Sequence, residues 1–269
     1  MKDLKGKNII VTGAGSGIGR LMSLMFADRG ANLALVDVNR EAVSAVENEV
    51  AEKNTRVSSY QCDISIPEQV SQTVASVMSD FKQVDVLVNN AGTVTGKSFM
   101  DLTLEEMKRT MDINYWGHVH FIKMILPEMI KNGAGNIVNI ASSSGLLGMP
   151  ILSDYCASKF AEVGLSESLR RELKKYGHKK IKITCVCPYI IDTGMFSGFR
   201  AFKLSPFIKP EKAARSIIKA VLRDKPYVMM PPLTMYSMLI LKFLPTALFD
   251  RLLVLFGAER AMDGFTGRS

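Results

Sequence analysis

The sequence predicts an α/β fold: one doubly wound, mainly parallel sheet of seven strands with helices on both faces, continued by a helical C-terminal extension. Three observations predict it. Short apolar runs rich in Val and Ile recur seven times, as suits strands buried on both faces of a parallel sheet. Amphipathic stretches with helical spacing separate nearly all of them. No linker rich in Gly, Ser or Pro, no low-complexity tract and no repeat longer than the βα unit divides the 269 residues, so one large domain fits better than two.

The first strand is expected at residues 7–11 (KNIIV), followed by a glycine cluster and an amphipathic stretch up to Arg29. The second strand, 32–37 (NLALVD), leads into a helical pattern over 41–53. Further strands are expected at 56–61, 84–88, 136–141, 182–187 and 227–230. After about Arg200 the regular alternation gives way to a basic, Met-rich tail. The organisation is therefore read as an α/β domain over 1–230 and a helical extension over 231–269.

At 47% hydrophobic and 22% charged residues the chain is too apolar to be disordered. Of its net charge of +8, +7 falls from Arg200 onward, where twelve Lys or Arg stand against five Asp or Glu. These basic groups sit among Met, Leu, Phe and Pro, which suits anionic lipid headgroups better than a nucleic-acid groove, so no nucleic acid is expected. Cys62, Cys156, Cys185 and Cys187 form neither a disulfide framework nor a zinc pattern and read as reduced core thiols. His118, His120 and His178 lack metal-ligand spacing, and no metal is assigned. No signal peptide is expected before the first strand, and the uncharged run 226–241 is too short and too broken by Pro231 and Pro232 to span a bilayer. The expected location is the cytoplasm, or a membrane surface facing it.

Four glycines fall within residues 13–19, between a strand and a helix. In that setting backbone amides can approach a pyrophosphate at the positive end of the helix, which favours a dinucleotide site over a plain turn. Asp37 ends the second strand about 20 residues further on, where a carboxylate can accept both ribose hydroxyls of an adenosine. It would repel a 2′-phosphate, and neither Ser16 nor Val38 offers that phosphate a basic partner, so NAD is favoured over NADP. Arg40 argues the other way, and Asp37 could also serve as a helix cap.

Tyr155 and Lys159 (YCASK) share a helical face, and an ammonium beside a phenol favours the phenolate that a general acid and base needs. Spacing alone is weak evidence, because Tyr176 and Lys180 repeat it. Context separates the pairs. Thirteen residues before Tyr155, Ser142 follows the apolar strand NIVNIA, at the carboxyl end where a parallel sheet opens its ligand crevice.

Together TGAGSGIG at 12–19, NNAG at 89–92, Asn114 in MDINYWG, Ser142 in IASSSG and YCASK at 155–159 resemble the short-chain dehydrogenase/reductase family over residues 7 to about 230. The resemblance implies a Rossmann-fold, NAD-binding catalytic domain. It implies that Gly13, Ser16, Gly17, Ile18 and Gly19 hold the cofactor, that Asp63 and Ile64 neighbour the adenine, and that Asn90, Ala91 and Gly92 line the cofactor path. Asn89 would support the sheet and a cofactor ribose. A tetrad of Asn114, Ser142, Tyr155 and Lys159 is implied: Ser142 orients the substrate oxygen, Tyr155 exchanges its proton and Lys159 grips the nicotinamide ribose, while the Asn114 main chain holds a relay water. Pro188, Ile191 and Thr193 would contact the nicotinamide, although Tyr189 replaces the Gly that commonly follows that Pro.

Within the family, YCASKFAEVG, CPYIIDTGMF and the 209–226 stretch are most similar to the membrane- or lipid-droplet-associated retinol and 17β-hydroxysteroid dehydrogenases, which usually carry an N-terminal anchor not seen before this first strand. The expected reaction is NAD-dependent interconversion of an apolar alcohol and its carbonyl. The alternative is a catalytically silent NAD-binding scaffold at a lipid surface. A lid is expected over 194–210, with Met195, Phe196, Phe199, Phe202 and Phe207 suggesting an apolar ligand or core packing. Surplus apolar residues over 116–130 and around Tyr155 suggest a homodimer. The tail over 233–257 is expected to touch membranes or lipid droplets, to cap the pocket, or to pack on a partner subunit.

Overall fold

In the computed structural model, residues 1, 3–201 and 207–267 are described. Seven parallel strands form one sheet: β1 (Asn8–Thr12), β2 (Asn32–Asp37), β3 (Val57–Gln61), β4 (Val86–Asn89), β5 (Gly135–Ile140), β6 (Ile181–Pro188) and β7 (Tyr227–Met230). Their order is β3-β2-β1-β4-β5-β6-β7. The strands lie within a residue or two of the positions expected from the apolar runs. The order reverses beside β1, which pairs with β2 on one side and β4 on the other, so a crevice opens beyond the carboxyl ends of β1 and β4.

Strand alternation divides the core. Ile9, Val11, Leu33, Leu35, Val86 and Val88 face one side, where they meet α1 (Gly17–Ala27), α2 (Arg40–Ala51) and later α7 (Pro210–Leu222). Ile10, Ala34, Val36 and Leu87 face the other, packed on α3 (Pro67–Phe81) and α5 (His118–Lys131). The remaining helices are α4 (Leu104–Met111), the 23-residue α6 (Ser153–Lys175), α8 (Pro232–Leu241) and α9 (Thr246–Phe256).

Between α4 and α5 the chain runs through six residues of π-helix, Asp112–Gly117. Hydrophobic spacing had given no sign of it. In the C-terminal extension, Met235, Phe249, Ala258, Ala261 and Met262 are buried, so its residues pack on the sheet domain. All four cysteines are buried free thiols. Among the described residues no helix is long and apolar enough to cross a membrane.

Candidate active site

The glycine loop leaves β1 and turns at once into α1. A Cβ at Gly19 would lie 2.0 Å from the carbonyl oxygen of Gly13, so the first turn of α1 closes directly onto the loop. Asn90 braces the same carbonyls, donating from Nδ2 to Thr12 O at 2.9 Å and Gly13 O at 3.1 Å. Thr12 Oγ1 in return accepts from the backbone amides of Asn90 and Ala91. The two ends of the switch point are thereby locked together.

Asp37 closes one end of this cleft. Its Oδ2 accepts from the Gly15 amide at 2.8 Å and its Oδ1 from the Asn39 amide at 2.9 Å. It is not the cap of α2, because Asn39 holds that place by accepting from the Ala42 amide. Arg40 turns toward β3, where it donates to the Ser59 carbonyl.

One cleft runs from Gly13, Ser16, Gly17, Ile18 and Asp37 past Asp63, Ile64, Asn90, Ala91 and Gly92 to Ser142, Tyr155 and Lys159, and on to Pro188, Ile191 and Thr193. Two residues singled out from sequence point elsewhere. The Asn89 side chain is wholly buried within the sheet and donates to Asn139 Oδ1 at 2.9 Å, so it does not face a cofactor ribose. Asn114 is also fully buried. Its Oδ1 accepts from the Thr93 amide while its Nδ2 donates to the Thr93 carbonyl and to Ser158 Oγ, tying the loop after β4 to α6. It sits within the π-helical segment, where the backbone hydrogen-bond pattern slips and main-chain groups are freed for other partners.

Ser142 follows β5 and lines the cleft together with Tyr155. Burial pushes the Tyr155 phenol up from its ordinary range, against which the Lys159 charge and the Ser142 hydrogen bond pull it down. Lys159 Nζ donates to the Ile140 carbonyl at 2.7 Å and to Glu162 at 2.8 Å. Burial works against that ammonium, but Glu162 outweighs it and the net shift is upward, so Lys159 stays charged.

The wall above the catalytic side chains is aromatic and comes from two distant segments. Met195 and Phe196 line the cleft, and Phe196 meets the Tyr155 ring edge-on with centroids 5.6 Å apart. Phe265, from the C-terminal segment, packs 6.2 Å from Phe196 and lies so close to the loop after β4 that a Cβ at Gly96 would come within 2.1 Å of its ring. Arg200 N–H to Ala261 O and Thr266 N–H to Ser197 O stitch the same segments together. Phe199 packs against Tyr189 and, with Met235, Leu239 and Lys242, lines a smaller cavity of about 40 Å³ that shares Tyr189 and Ile190 with the main cleft. Phe207 touches Phe199 and is 40% exposed, whereas Phe202 lies outside the described residues. Cleft-lining Arg109 and Ile113, together with Phe265, carry no local sequence signature. Met195 and Phe196 come from the segment expected as a lid over 194–210, and the Gly-to-Tyr departure at Tyr189 was a second hint of this wall.

This arrangement is that of a Rossmann-fold oxidoreductase. Residues 7–203 match the family described as short chain dehydrogenase, and the chain belongs to that family. Epidermal retinol dehydrogenase 2 of Homo sapiens is 41% identical over 267 residues, covering 98% of this chain and 86% of its own length. Retinol dehydrogenase 10-B of Danio rerio is 37% identical over 292 residues, covering 98% and 86%. A short chain dehydrogenase/reductase from Burkholderia phymatum, solved in complex with NAD, has the same fold at 23% identity, with a TM-score of 0.83 over 96% of this chain and 98% of that one. A metagenomic short-chain oxidoreductase in complex with NADP gives 0.72 at 26% identity over 84% and 95%.

The residues present fit a nicotinamide dinucleotide: a glycine-rich turn in which a Cβ at Gly13 or Gly19 would clash, a carboxylate at the far end, and an ammonium beside a phenol at the near end. If the contact between Gly19 and Gly13 sets the loop, Gly19→Ala should weaken NADH binding at least about tenfold, or ~1.4 kcal/mol, in a fluorescence titration. An unchanged affinity would show that the close approach is not needed.

Proposed function

We propose that this protein is an NAD-dependent dehydrogenase of apolar alcohols, retinol-like or hydroxysteroid-like, interconverting the alcohol and its carbonyl. The single observation that carries the reading is the joining of the Ser142, Tyr155 and Lys159 set to a wall of Met195 and Phe196, backed by Phe265, in one cleft. Two relatives named retinol dehydrogenases at 37–41% identity support it.

The bound dinucleotide supplies the hydride acceptor or donor. Ser142 orients the substrate oxygen by hydrogen bonding, and Tyr155 takes or gives the hydroxyl proton. The Lys159 charge stabilises the phenolate, and its ammonium would help hold the nicotinamide ribose. Asn114 serves by positioning α6 and by the backbone groups of its π-helical segment. The aromatic wall excludes water from the reacting centre and accepts the apolar part of the substrate. Preference for NAD rests on Asp37, whose carboxylate lies where a 2′-phosphate would be repelled, and on Arg40 being engaged with β3.

Residues 1–230 act as the catalytic unit and 231–269 as an extension with two roles. Its inner side closes the site through Met235 and Phe265. Its outer side exposes Leu233, Tyr236, Ile240, Phe243, Leu248, Val254 and Leu255, and this side makes peripheral contact with a membrane or lipid droplet from the cytoplasm. Apolar exposure, rather than charge, supports that contact: residues 231–269 hold four basic and three acidic side chains, so most of the C-terminal positive charge lies upstream, in 200–230. Exposed Trp116, Ile130 and Phe160 mark the face of a homodimer.

With NAD and a panel of retinol, steroids and long-chain alcohols, NADH should form at 340 nm. Tyr155→Phe should slow it by about 10²–10⁴-fold, and Asp37→Ala should narrow the preference for NAD over NADP at least about tenfold. Turnover by Tyr155→Phe at the wild-type rate, or a wild-type preference for NADP, would refute the respective assignments. Vesicles containing phosphatidylserine should carry the full chain upward in flotation but release a Phe243→Asp/Leu255→Asp variant. Recovery of both in the soluble fraction would leave the tail as a lid alone. Light scattering should give about twice the 29.7 kDa chain mass, and Trp116→Glu should halve it.

A further inference from the structure

One turn beyond Lys159 on α6, Glu162 is wholly buried and lies outside the cleft. Its Oε2 accepts from Lys159 Nζ at 2.8 Å. Its Oε1 is in a short hydrogen bond with Nδ1 of His118, which opens α5 and is 1% exposed. The other ring nitrogen, Nε2, lies 2.8 Å from the carbonyl oxygen of Ala91. A buried carboxylate beside a lysine that the reaction needs charged raises an electrostatic question, because an uncompensated anion there would consume the charge meant for Tyr155.

The hydrogen-bond inventory answers it. A carbonyl oxygen only accepts, so Nε2 of His118 carries a proton. A carboxylate oxygen and an unprotonated ring nitrogen are both acceptors and cannot bond without a proton between them. His118 and Glu162 therefore share one proton, and whichever atom holds it the pair is neutral. Lys159 is then the net charge of the cluster.

We infer that His118 is a positioning residue that neutralises Glu162, so that Glu162 can hold the Lys159 ammonium in place without cancelling its charge at Tyr155. The inference builds on the roles given above to Tyr155 and Lys159. The other titratable groups facing this cluster are Cys156 on α6 and Cys185 and Cys187 on β6. A hydrogen bond donated to Cys185 and burial push the Cys187 thiol up, so it stays neutral. The neighbouring Ser166 and Asn139, which bond to each other at 2.9 Å, carry no charge. Burial favours a neutral Glu162, yet His118 and Lys159 together hold it below the usual carboxylate range, in keeping with an ion pair.

The test reads the Tyr155 phenolate directly. Absorbance at 295 nm is titrated against pH for the full chain without substrate, and the same protein carrying Tyr155→Phe is subtracted to remove the other six tyrosines. His118→Asn leaves Glu162 uncompensated and should raise the Tyr155 midpoint by roughly one unit or more, as a newly unpaired charge nearby does. Adding Glu162→Gln to His118→Asn should return it to within about 0.3 unit of wild type. A merely structural role would not give that rescue. Glu162→Gln alone preserves the neutral pair and should also leave the midpoint within about 0.3 unit. An unmoved midpoint in His118→Asn, or no rescue in the double variant, overturns the inference. So does a fall of a unit or more in Glu162→Gln, which would show that Glu162 is an unpaired anion in the wild type. If His118→Asn does not fold, the Glu162→Gln titration decides alone. Because no substrate is used, failure of the retinol-like assignment would leave these midpoints as they are.

Discussion

An ammonium held at 4% exposure has to be surrounded by acceptors, and at Lys159 that requirement organises the site. One acceptor is the Ile140 carbonyl at the end of β5, two residues before Ser142. The other is Glu162, which is held by His118 on α5, which in turn reaches the Ala91 carbonyl in the loop after β4. Two strand ends and two helices are therefore clamped around one ion. Ser142, Tyr155 and the cleft floor at Ala91 inherit their spacing from it. Breaking a buried pair by removing one partner costs far more than the pair contributes, so these contacts act as a single unit rather than as independent bonds.

Asn114 repeats the principle with neutral groups, bonding Thr93 on one side and Ser158 on the other. Both devices fix α6 to the loop after β4, and both are invisible in residue spacing alone. His118 and Glu162 are 44 residues apart, as are Asn114 and Ser158. In sequence, His118 showed only that it lacked metal-ligand spacing. What joins it to Glu162 is the packing of α4 and the π-helical segment, which runs straight into His118, on α6, and a local pattern cannot express that.

The sheet, by contrast, was legible nearly throughout. Its strands are apolar on both faces, so Ile9, Ile10 and Val11 or Leu33, Ala34, Leu35 and Val36 announce themselves without knowledge of their neighbours. The glycine loop, Asp37, Ser142 and the Tyr155–Lys159 pair were legible for a related reason, since each sits at the carboxyl end of a strand or on one helical face. Motif membership did not give side-chain direction. Asn89 and Asn90 are adjacent, yet Asn89 points into the sheet toward Asn139 and Asn90 braces the glycine turn. Alternation along the strand decides that difference.

The C-terminal extension shows where composition misleads and geometry corrects it. Charge counted over the last quarter of the chain pointed to the tail, but most of that charge belongs to 200–230, including the outer face of α7, where Lys212, Arg215 and Lys219 are exposed. What distinguishes α8 is that it is apolar almost all round. A helix of that kind needs cover on every side. Met235 and Leu239 find cover over the smaller cavity, while Leu233, Tyr236 and Ile240 do not. The uncovered side adjoins Phe243, which is 91% exposed, and Lys242 anchors that corner by donating to the Leu146 carbonyl beside the substrate wall. On the function proposed above, an apolar substrate would dissolve in the same medium that would cover such a surface, and one short segment would link that surface to the smaller cavity beside the cleft.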